Sequence, residues 1–100
     1  MSNIIDFEEL VFLTAKKLTQ DVDGDACAVY LEDTFDLEVE YNGGGEWEVN
    51  GKYYEDDEME KFFFSDFLKS IDAKKLAEVY NYWSDNSKVE YVGDSLFSIN

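Results

Sequence analysis

Carboxylates are the side chains of this chain most able to take part in chemistry, and they are concentrated between positions 36 and 60. Within residues 35–49 they alternate with apolar residues, which is the period-two pattern of half-buried β-strands. The candidate binding residues are the acids of this segment and of the run that follows it, with one tyrosine at the edge: Asp36, Glu38, Glu40, Glu46, Glu48, Tyr53, Glu55, Asp56, Asp57, Glu58 and Glu60. Carboxylates two apart on a strand are separated by about 6.6 Å, which is close to the direct distance between neighbouring phosphates of a nucleic-acid strand. These acids therefore match the spacing of a groove that a basic protein uses to bind nucleic acid.

A hairpin is expected to bring some of these acids face to face. If the loop at residues 42–44 closes it with three residues, Glu40 lies opposite Glu46 and Glu38 lies opposite Glu48 on the outer side. Like charges directly opposite each other destabilise a sheet, so folding alone does not explain their presence. The pattern points to a positively charged partner.

The dipeptide at residues 50–51, Asn-Gly, predicts a second tight turn of type I', because both central positions of that turn need positive φ. With this turn Trp47 lies opposite Tyr54 on the core side, and Glu46 lies opposite Glu55 on the outer side. Tyr54 and Tyr41 are expected to pack in the core. Tyr53 fits an anchor in a protein interface and ordinary strand packing equally well.

The remaining periodicity predicts an α+β fold with an N-terminal helix, an antiparallel meander of about four strands, two consecutive helices and a short C-terminal hairpin. The first helix is expected to be capped by Asp6, and the first strand to cover residues 27–31. Asp57 and Asp72 are candidate caps of the two later helices. A turn at residues 93–95 closes the last hairpin. No internal repeat or domain boundary is evident, so residues 1–100 are expected to form a single domain.

The composition narrows the classes of function. The formal net charge is -16, from 24 acidic and 8 basic residues, which far exceeds the magnitude of about 2 to 8 that keeps a small domain soluble. All the basic residues are lysine, and without the bidentate contacts of arginine direct binding of nucleic acid is not expected. Aromatic residues make up 17% of the chain, too many for a disordered acidic tail. No apolar run is long enough to span a membrane, and the single Cys27 forms no internal disulfide, so a cytoplasmic protein is expected.

Catalysis is not expected from these residues. The chain has no histidine, which removes the usual general base near neutral pH. Cys27 therefore has no histidine partner that could activate it as a nucleophile. Gly43 to Gly45 are predicted to form a hairpin turn rather than a phosphate-binding loop. No cofactor is expected.

A second acidic cluster resembles the calcium loop of the EF-hand family. Asp21, Asp23, Asp25 and Glu32 occupy positions 1, 3, 5 and 12 of a similar pattern that follows a helix. The pattern departs from the family at position six, where Ala26 replaces the glycine of the sharp turn. The segment after Glu32 is predicted to be a strand where the family has a helix.

The favoured hypothesis is a small inhibitor that mimics nucleic acid and blocks a basic nucleic-acid-binding protein or nuclease complex. In size and charge the chain resembles the acidic inhibitors that phages make against CRISPR and restriction systems, and also immunity proteins against nuclease toxins. Another alternative is an acidic secretion chaperone, to which the order of elements is loosely similar. Such a chaperone would act as a dimer and expose Phe12 and residues 62–64. The oligomeric state is left open.

Overall fold

The fold is α+β and contains two antiparallel sheets of three strands each. It is seen in a computed structural model that describes residues 3–84 and 87–99, without the side chains of residues 64–66. The strands are β1 (Asn3–Asp6), β2 (Val39–Gly43), β3 (Glu46–Val49), β4 (Lys52–Glu55), β5 (Val89–Gly93) and β6 (Leu96–Ile99). The order β2-β3-β4 forms one sheet, here called the central sheet, and β1-β6-β5 forms the other, here called the terminal sheet.

Four α-helices connect these strands in the described residues, and two of them are followed by π-helical or 3-10 segments. The helices are α1 (Phe7–Lys16), α2 (Gly24–Phe35), α3 (Asp56–Lys61) and α4 (Ala73–Trp83). A π-helical segment at Lys17–Asp21 extends α1, while α3 is followed by a π-helical segment at Phe62–Phe67 and a 3-10 turn at Leu68–Ser70. The predicted order of an N-terminal helix, a meander, later helices and a final hairpin is therefore broadly confirmed, although α2 was not predicted.

Local capping chemistry fixes where the helices begin. The Asp6 carboxylate accepts a hydrogen bond of 2.8 Å from the backbone N–H of Glu9, and Asp72 caps α4 as predicted. Helix α3 begins earlier than predicted, because Glu55 rather than Asp57 is its N-cap. Glu55 and Glu58 there form a capping box, in which each side chain accepts from the other residue's backbone N–H.

The predicted strand at residues 27–31 is wrong, because this segment lies inside α2. Cys27, Ala28 and Leu31 are buried, whereas Val29 is 59% exposed. A spacing of three and four residues places the buried set on one helix face. The strand was predicted because Cys27, Val29 and Leu31 alternate with other residues, as the inward residues of a strand do. The meander therefore has three strands, and β2 begins only at Val39 because Asp36 ends the helix in the left-handed conformation, with φ of 57°.

An N-terminal strand is present that the sequence analysis did not predict. β1 pairs antiparallel with β6, and Ile5 lies opposite Phe97. Four residues are too few to show a strand period on their own. The partner that makes this segment a strand lies at the other end of the chain.

The two hairpins repeat each other in sequence and in register, so the expectation that the chain has no internal repeat is wrong. Residues 39–43 and 89–93 share the pattern Val-Glu-Tyr-x-Gly. In the central sheet Tyr41 pairs with Trp47, and in the terminal sheet Tyr91 pairs with Phe97. Both hairpins carry a bulge immediately after this tyrosine. The chain therefore builds the same bulged hairpin twice.

The repeat extends to the whole order of elements. Residues 3–49 and 52–99 each run strand, helix, helix and hairpin, and the first strand of each half pairs with the hairpin of the other half. The junction between helix and hairpin is also repeated: the Glu32 carboxylate accepts from the Val39 N–H at 3.1 Å. In the second half, the Asn81 Oδ1 atom accepts from the Val89 N–H at 2.8 Å, and the Asn81 Nδ2 atom donates to the Val89 carbonyl. The two sheets therefore occupy equivalent places in a repeated order of elements.

Buried side chains of both halves form one hydrophobic cluster. Its largest fully buried members are Trp47, Phe63 and Phe97. Tyr54 packs partly buried against this cluster, and so does Tyr41, which agrees with their predicted place on the core side. Within the described residues, the helices are all too short or too polar to cross a bilayer.

Gly24 gives one test of this packing. A Cβ at this position would lie 2.4 Å from the ring of Tyr41, a separation that forces the ring to move. We expect Gly24→Ala to lower the free energy of unfolding by about 1 to 3 kcal/mol, measured by urea denaturation followed by circular dichroism. The matched control is Ala73→Gly at the equivalent first position of α4, expected to cost no more than about 1 kcal/mol. A more stable Gly24→Ala variant would contradict the close approach.

Candidate functional site

The outer side of the central sheet carries two rows of polar residues across its strands. Glu40 pairs with Glu48, and Glu48 pairs with Tyr53. In the second row Glu46 pairs with Glu55. These five residues, Glu40, Glu46, Glu48, Tyr53 and Glu55, are called the acidic face below. Side chains directly opposite each other on neighbouring strands have Cβ atoms about 4.5 to 5.5 Å apart, so each row brings two carboxylates into close proximity.

The register differs in part from the predicted one. The pairing of Glu40 with Glu46 and of Glu38 with Glu48 is wrong, because the tight turn lies at Gly44 and Gly45 and a bulge between Tyr41 and Gly43 adds one residue to β2. Like charges still face each other, but the pair is Glu40 and Glu48.

The second turn of the meander is confirmed. Residues 50 and 51 both have positive φ, of 50° and 84°, as a type I' turn requires. Trp47 lies opposite Tyr54 and Glu46 lies opposite Glu55, as the Asn-Gly dipeptide predicted. This turn therefore fixes one of the two facing acidic pairs.

Tyr53 lies among the carboxylates of the acidic face. Its side chain is 48% exposed. Interaction of its hydroxyl with the Glu46 carboxylate, together with the charges of Glu55 and Glu48, raises the pKa of Tyr53 to about 12. The phenol therefore stays protonated at neutral pH, and an exposed aromatic ring lies in the middle of a negatively charged surface.

Two acidic clefts adjoin the acidic face. The glutamate cleft, of about 240 Å³, is lined by Glu32, Glu38, Glu40, Glu48 and Gly51. Asn50 positions Glu38 by accepting from its backbone N–H at 3.1 Å and donating to its carbonyl at 2.8 Å. Glu32 comes from α2 and was not predicted to belong to this site, because residues 27–31 were taken for a strand and Glu32 for part of the turn after it.

The second, or hairpin, cleft has a volume of about 280 Å³. It is lined by Gly44, Gly45, Glu46, Glu55, Asp56 and Asp57. Asp56 is held in place by the indole N–H of Trp47, which donates to its carboxylate at 2.9 Å. The hydrophobic core and the acidic surface are thus joined through one hydrogen bond.

Three of the predicted site residues lie apart from both the acidic face and its clefts. Asp36 ends α2, and Glu58 belongs to the capping box of α3, where its carboxylate accepts from the Glu55 N–H at 3.4 Å. Glu60 lines a different cleft, with Phe12 and Lys61. The continuous ladder expected from the sequence is therefore divided into the acidic face, its two clefts and these separate acids.

No lysine neutralises the acidic face within the part of the chain that the structure describes. The ion pair between Lys75 and Glu78, at 3.3 Å, lies on α4. Lys52 of β4 instead places its Nζ over the ring of Tyr54, 5.2 Å from the ring centroid. The carboxylates of the face therefore repel one another without a compensating lysine among the described residues.

The terminal sheet shows that the architecture does not require this repulsion. At the positions equivalent to Glu40, Glu48 and Tyr53 it has Glu90, Ser98 and Ile4, paired in the same order. Where the central sheet pairs Glu46 with Glu55, the terminal sheet pairs Leu96 with Asp6. The same bulged hairpin is thus built with at most one acid in each row.

Exchanging the equivalent residues tests the repulsion directly. We expect Glu48→Ser to raise the melting temperature by a few degrees at low ionic strength, because it removes one of two facing charges worth roughly 0.5 to 1 kcal/mol. Ser98→Glu should lower it, because it creates the same pair with Glu90. Thermal unfolding should be measured at about 10 mM and 500 mM salt. At the higher concentration, the melting temperatures of both variants should lie closer to that of the native chain. Equal shifts at both salt concentrations would contradict an electrostatic cause.

The EF-hand-like loop is not formed, because helix α2 runs through the pattern from Gly24 to Phe35. Glu32 accepts from the backbone of Val39 instead of turning back toward Asp21. Among the described residues, no group of three or more carboxylates or thiolates is arranged to hold a metal ion.

The residues of the chaperone alternative are divided between core and surface. Phe63 is fully buried, whereas Phe12 is 44% exposed. Phe62 is half-buried against Tyr54, and the side chain of Phe64 lies outside the description. Cys27 is buried as predicted, although on a helix, and burial raises the pKa of its thiol to about 12.

Comparisons with models of protein families, with curated proteins and with solved structures gave no match. The interpretation of this surface therefore depends on the geometry and charge of the chain itself.

Proposed function

We propose that this protein binds a basic nucleic-acid-binding protein or nuclease complex and inhibits it by occupying the groove made for nucleic acid, as phage inhibitors of CRISPR and restriction systems do. One observation carries the proposal: Glu40 faces Glu48 and Glu46 faces Glu55, while the equivalent rows of the terminal sheet avoid such pairs. A surface that costs stability and that the fold does not need is best explained by a cationic partner that relieves the repulsion. The setting proposed is the cytoplasm of a host cell.

The mechanism has an electrostatic step and a contact step. A net charge of -16 accelerates the encounter with a basic groove, since steering by charge raises association rates by a factor of about 10 to 1,000. Tyr53 then provides a rigid aromatic contact within the acidic face, and such residues slow dissociation. No bond is made or broken, so the protein acts by occupying the site.

The geometry of the acidic face fits a lattice of cations. Neighbouring strands are about 4.8 Å apart, and alternate residues along a strand are about 6.6 Å apart. The two rows and the two clefts therefore present carboxylates in two dimensions rather than in one line. A groove lined with lysine and arginine has cations distributed in a comparable way along both strands of its nucleic acid.

Pull-down from lysates that contain candidate nucleases, nuclease toxins and CRISPR or restriction complexes tests the proposal. We expect capture of one basic complex, competition by duplex DNA or guide RNA, and loss of its nuclease activity when the complex is bound. Capture of a toxin nuclease would identify the immunity type. Equal capture in the presence of saturating nucleic acid would show that the groove is not the binding site and would contradict the proposal.

A further inference from the structure

A groove beside α2 and α4 contains an aromatic cluster that the acidic face does not use. Its volume is about 710 Å³, within the range of about 300 to 1,000 Å³ found for ligand pockets. The lining residues are Asp23, Asp25, Ala26, Val29, Tyr30, Asp33, Thr34, Tyr82 and Trp83. None of these lines either acidic cleft, so the groove is a separate surface.

Three aromatic rings form the apolar part of the groove. Tyr30 and Tyr82 are stacked with centroids 4.3 Å apart, and Trp83 meets both rings edge to face at 5.3 Å and 4.8 Å. Tyr82 is nevertheless 64% exposed. A stacked tyrosine with most of its surface in water offers a ring face to a ligand.

The polar part of the groove is negative. Three aspartates belong to the lining and no lysine does. Asp23 directly precedes α2, but its side chain makes no capping hydrogen bond. Carboxylates beside exposed aromatic rings favour a cation, because both the charges and the negative ring faces attract it.

The indole of Trp83 provides a reporter for the groove. Its Nε1 atom is buried and has no hydrogen-bond partner among the described residues. Because the indole ring contacts both tyrosine rings, its N–H signal responds to a ligand that binds against them.

We infer that the groove binds an arginine-bearing segment of a basic polypeptide, with the guanidinium group against the tyrosine rings and the aspartates. Arginine fits better than lysine because its planar group stacks on aromatic faces while donating to carboxylates. This site does not depend on the acidic face.

Titration of the ¹⁵N-labelled full chain with the peptide acetyl-Gly-Arg-Gly-Arg-Gly-amide tests the inference. The chain has two tryptophans, so the indole N–H of Trp47, which is bonded to Asp56, serves as an internal control. We expect a saturable shift of the Trp83 indole signal and no shift of the Trp47 signal. Tyr82→Ala should weaken binding about five- to thirtyfold, and Asp33→Asn about two- to fivefold.

Three comparisons can overturn the inference. The same peptide with citrulline in place of arginine should not bind, and equal binding would exclude a cation site. Tetramethylammonium should bind more weakly, and equal affinity would indicate a small-cation site rather than a polypeptide site. Glu40→Lys should leave the affinity unchanged, because a loss would place the peptide on the acidic face. Absence of any saturable shift of Trp83 would also overturn it.

Discussion

Replacing Trp47 with alanine is expected to lower the free energy of unfolding by about 3 to 5 kcal/mol. Trp47 is 1% exposed, lies opposite Tyr41 and Tyr54 on the two neighbouring strands, and belongs to the cluster that joins both halves. Its removal leaves a cavity in the middle of the central sheet. Urea denaturation followed by far-ultraviolet circular dichroism measures the loss. A change below about 1 kcal/mol would show that Trp47 does not pack in the core.

The repeat supplies the control for this substitution. Phe97 occupies the position of Trp47 in the terminal sheet, so Trp47→Phe keeps an aromatic ring that the architecture already accepts. We expect it to cost about 1 to 2 kcal/mol, from the smaller ring and the lost hydrogen bond to Asp56. Because Asp56 is exposed, water replaces that bond. A loss as large as that of the alanine variant would mean that the hydrogen bond, rather than the packing, dominates.

Features decided by neighbouring residues were predictable from the sequence. Asp6 caps a helix because its carboxylate needs only the N–H three residues away. The turn at residues 50–51 follows from the positive φ that asparagine and glycine tolerate, and it fixes the pairing of Glu46 with Glu55. In α4, Leu76, Val79 and Tyr80 recur at helical spacing and are all buried.

Features decided by distant residues were not predictable. Residues 27–31 fit a strand period through Cys27, Val29 and Leu31 and a helical one through Cys27, Ala28 and Leu31, and only packing against the rest of the chain separates the two. β1 is a strand because β6 pairs with it. The tight turn at Gly44 and Gly45, together with the one-residue bulge after Tyr41, moved the partner of Glu40 from Glu46 to Glu48.

The repeat escaped the sequence analysis because its two copies share few residues. Both hairpins keep valine, tyrosine and glycine in their first strands, at positions that face the core or follow the bulge, together with an outward glutamate. The outward positions of their second strands differ, as Glu48 and Ser98 show. The same divergence left the central sheet with facing acids and the terminal sheet without them, so the difference between the copies is itself the signal for the candidate site.

Reversing charge on the acidic face is expected to weaken binding to the proposed partner much more than the same change elsewhere. The quadruple variant carries lysine in place of Glu38, Glu40, Glu46 and Glu48. It should lose at least about a hundredfold in affinity, since like charges facing each other across an interface cost several kcal/mol. Surface plasmon resonance at several salt concentrations measures both rates. The association rate should fall, and its dependence on salt should flatten.

A single matched pair of variants separates the effect of the acidic face on partner binding from the effect of the net charge. Glu40→Lys and Glu90→Lys change the net charge equally and lie at equivalent positions of the two repeated hairpins. We expect Glu40→Lys to weaken binding about tenfold and Glu90→Lys to change it less than about twofold. Glu40→Lys should also be the more stable variant, because lysine then faces Glu48. Equal losses from both variants would mean that the partner responds only to overall charge, and mimicry of nucleic acid by the central sheet would then be wrong.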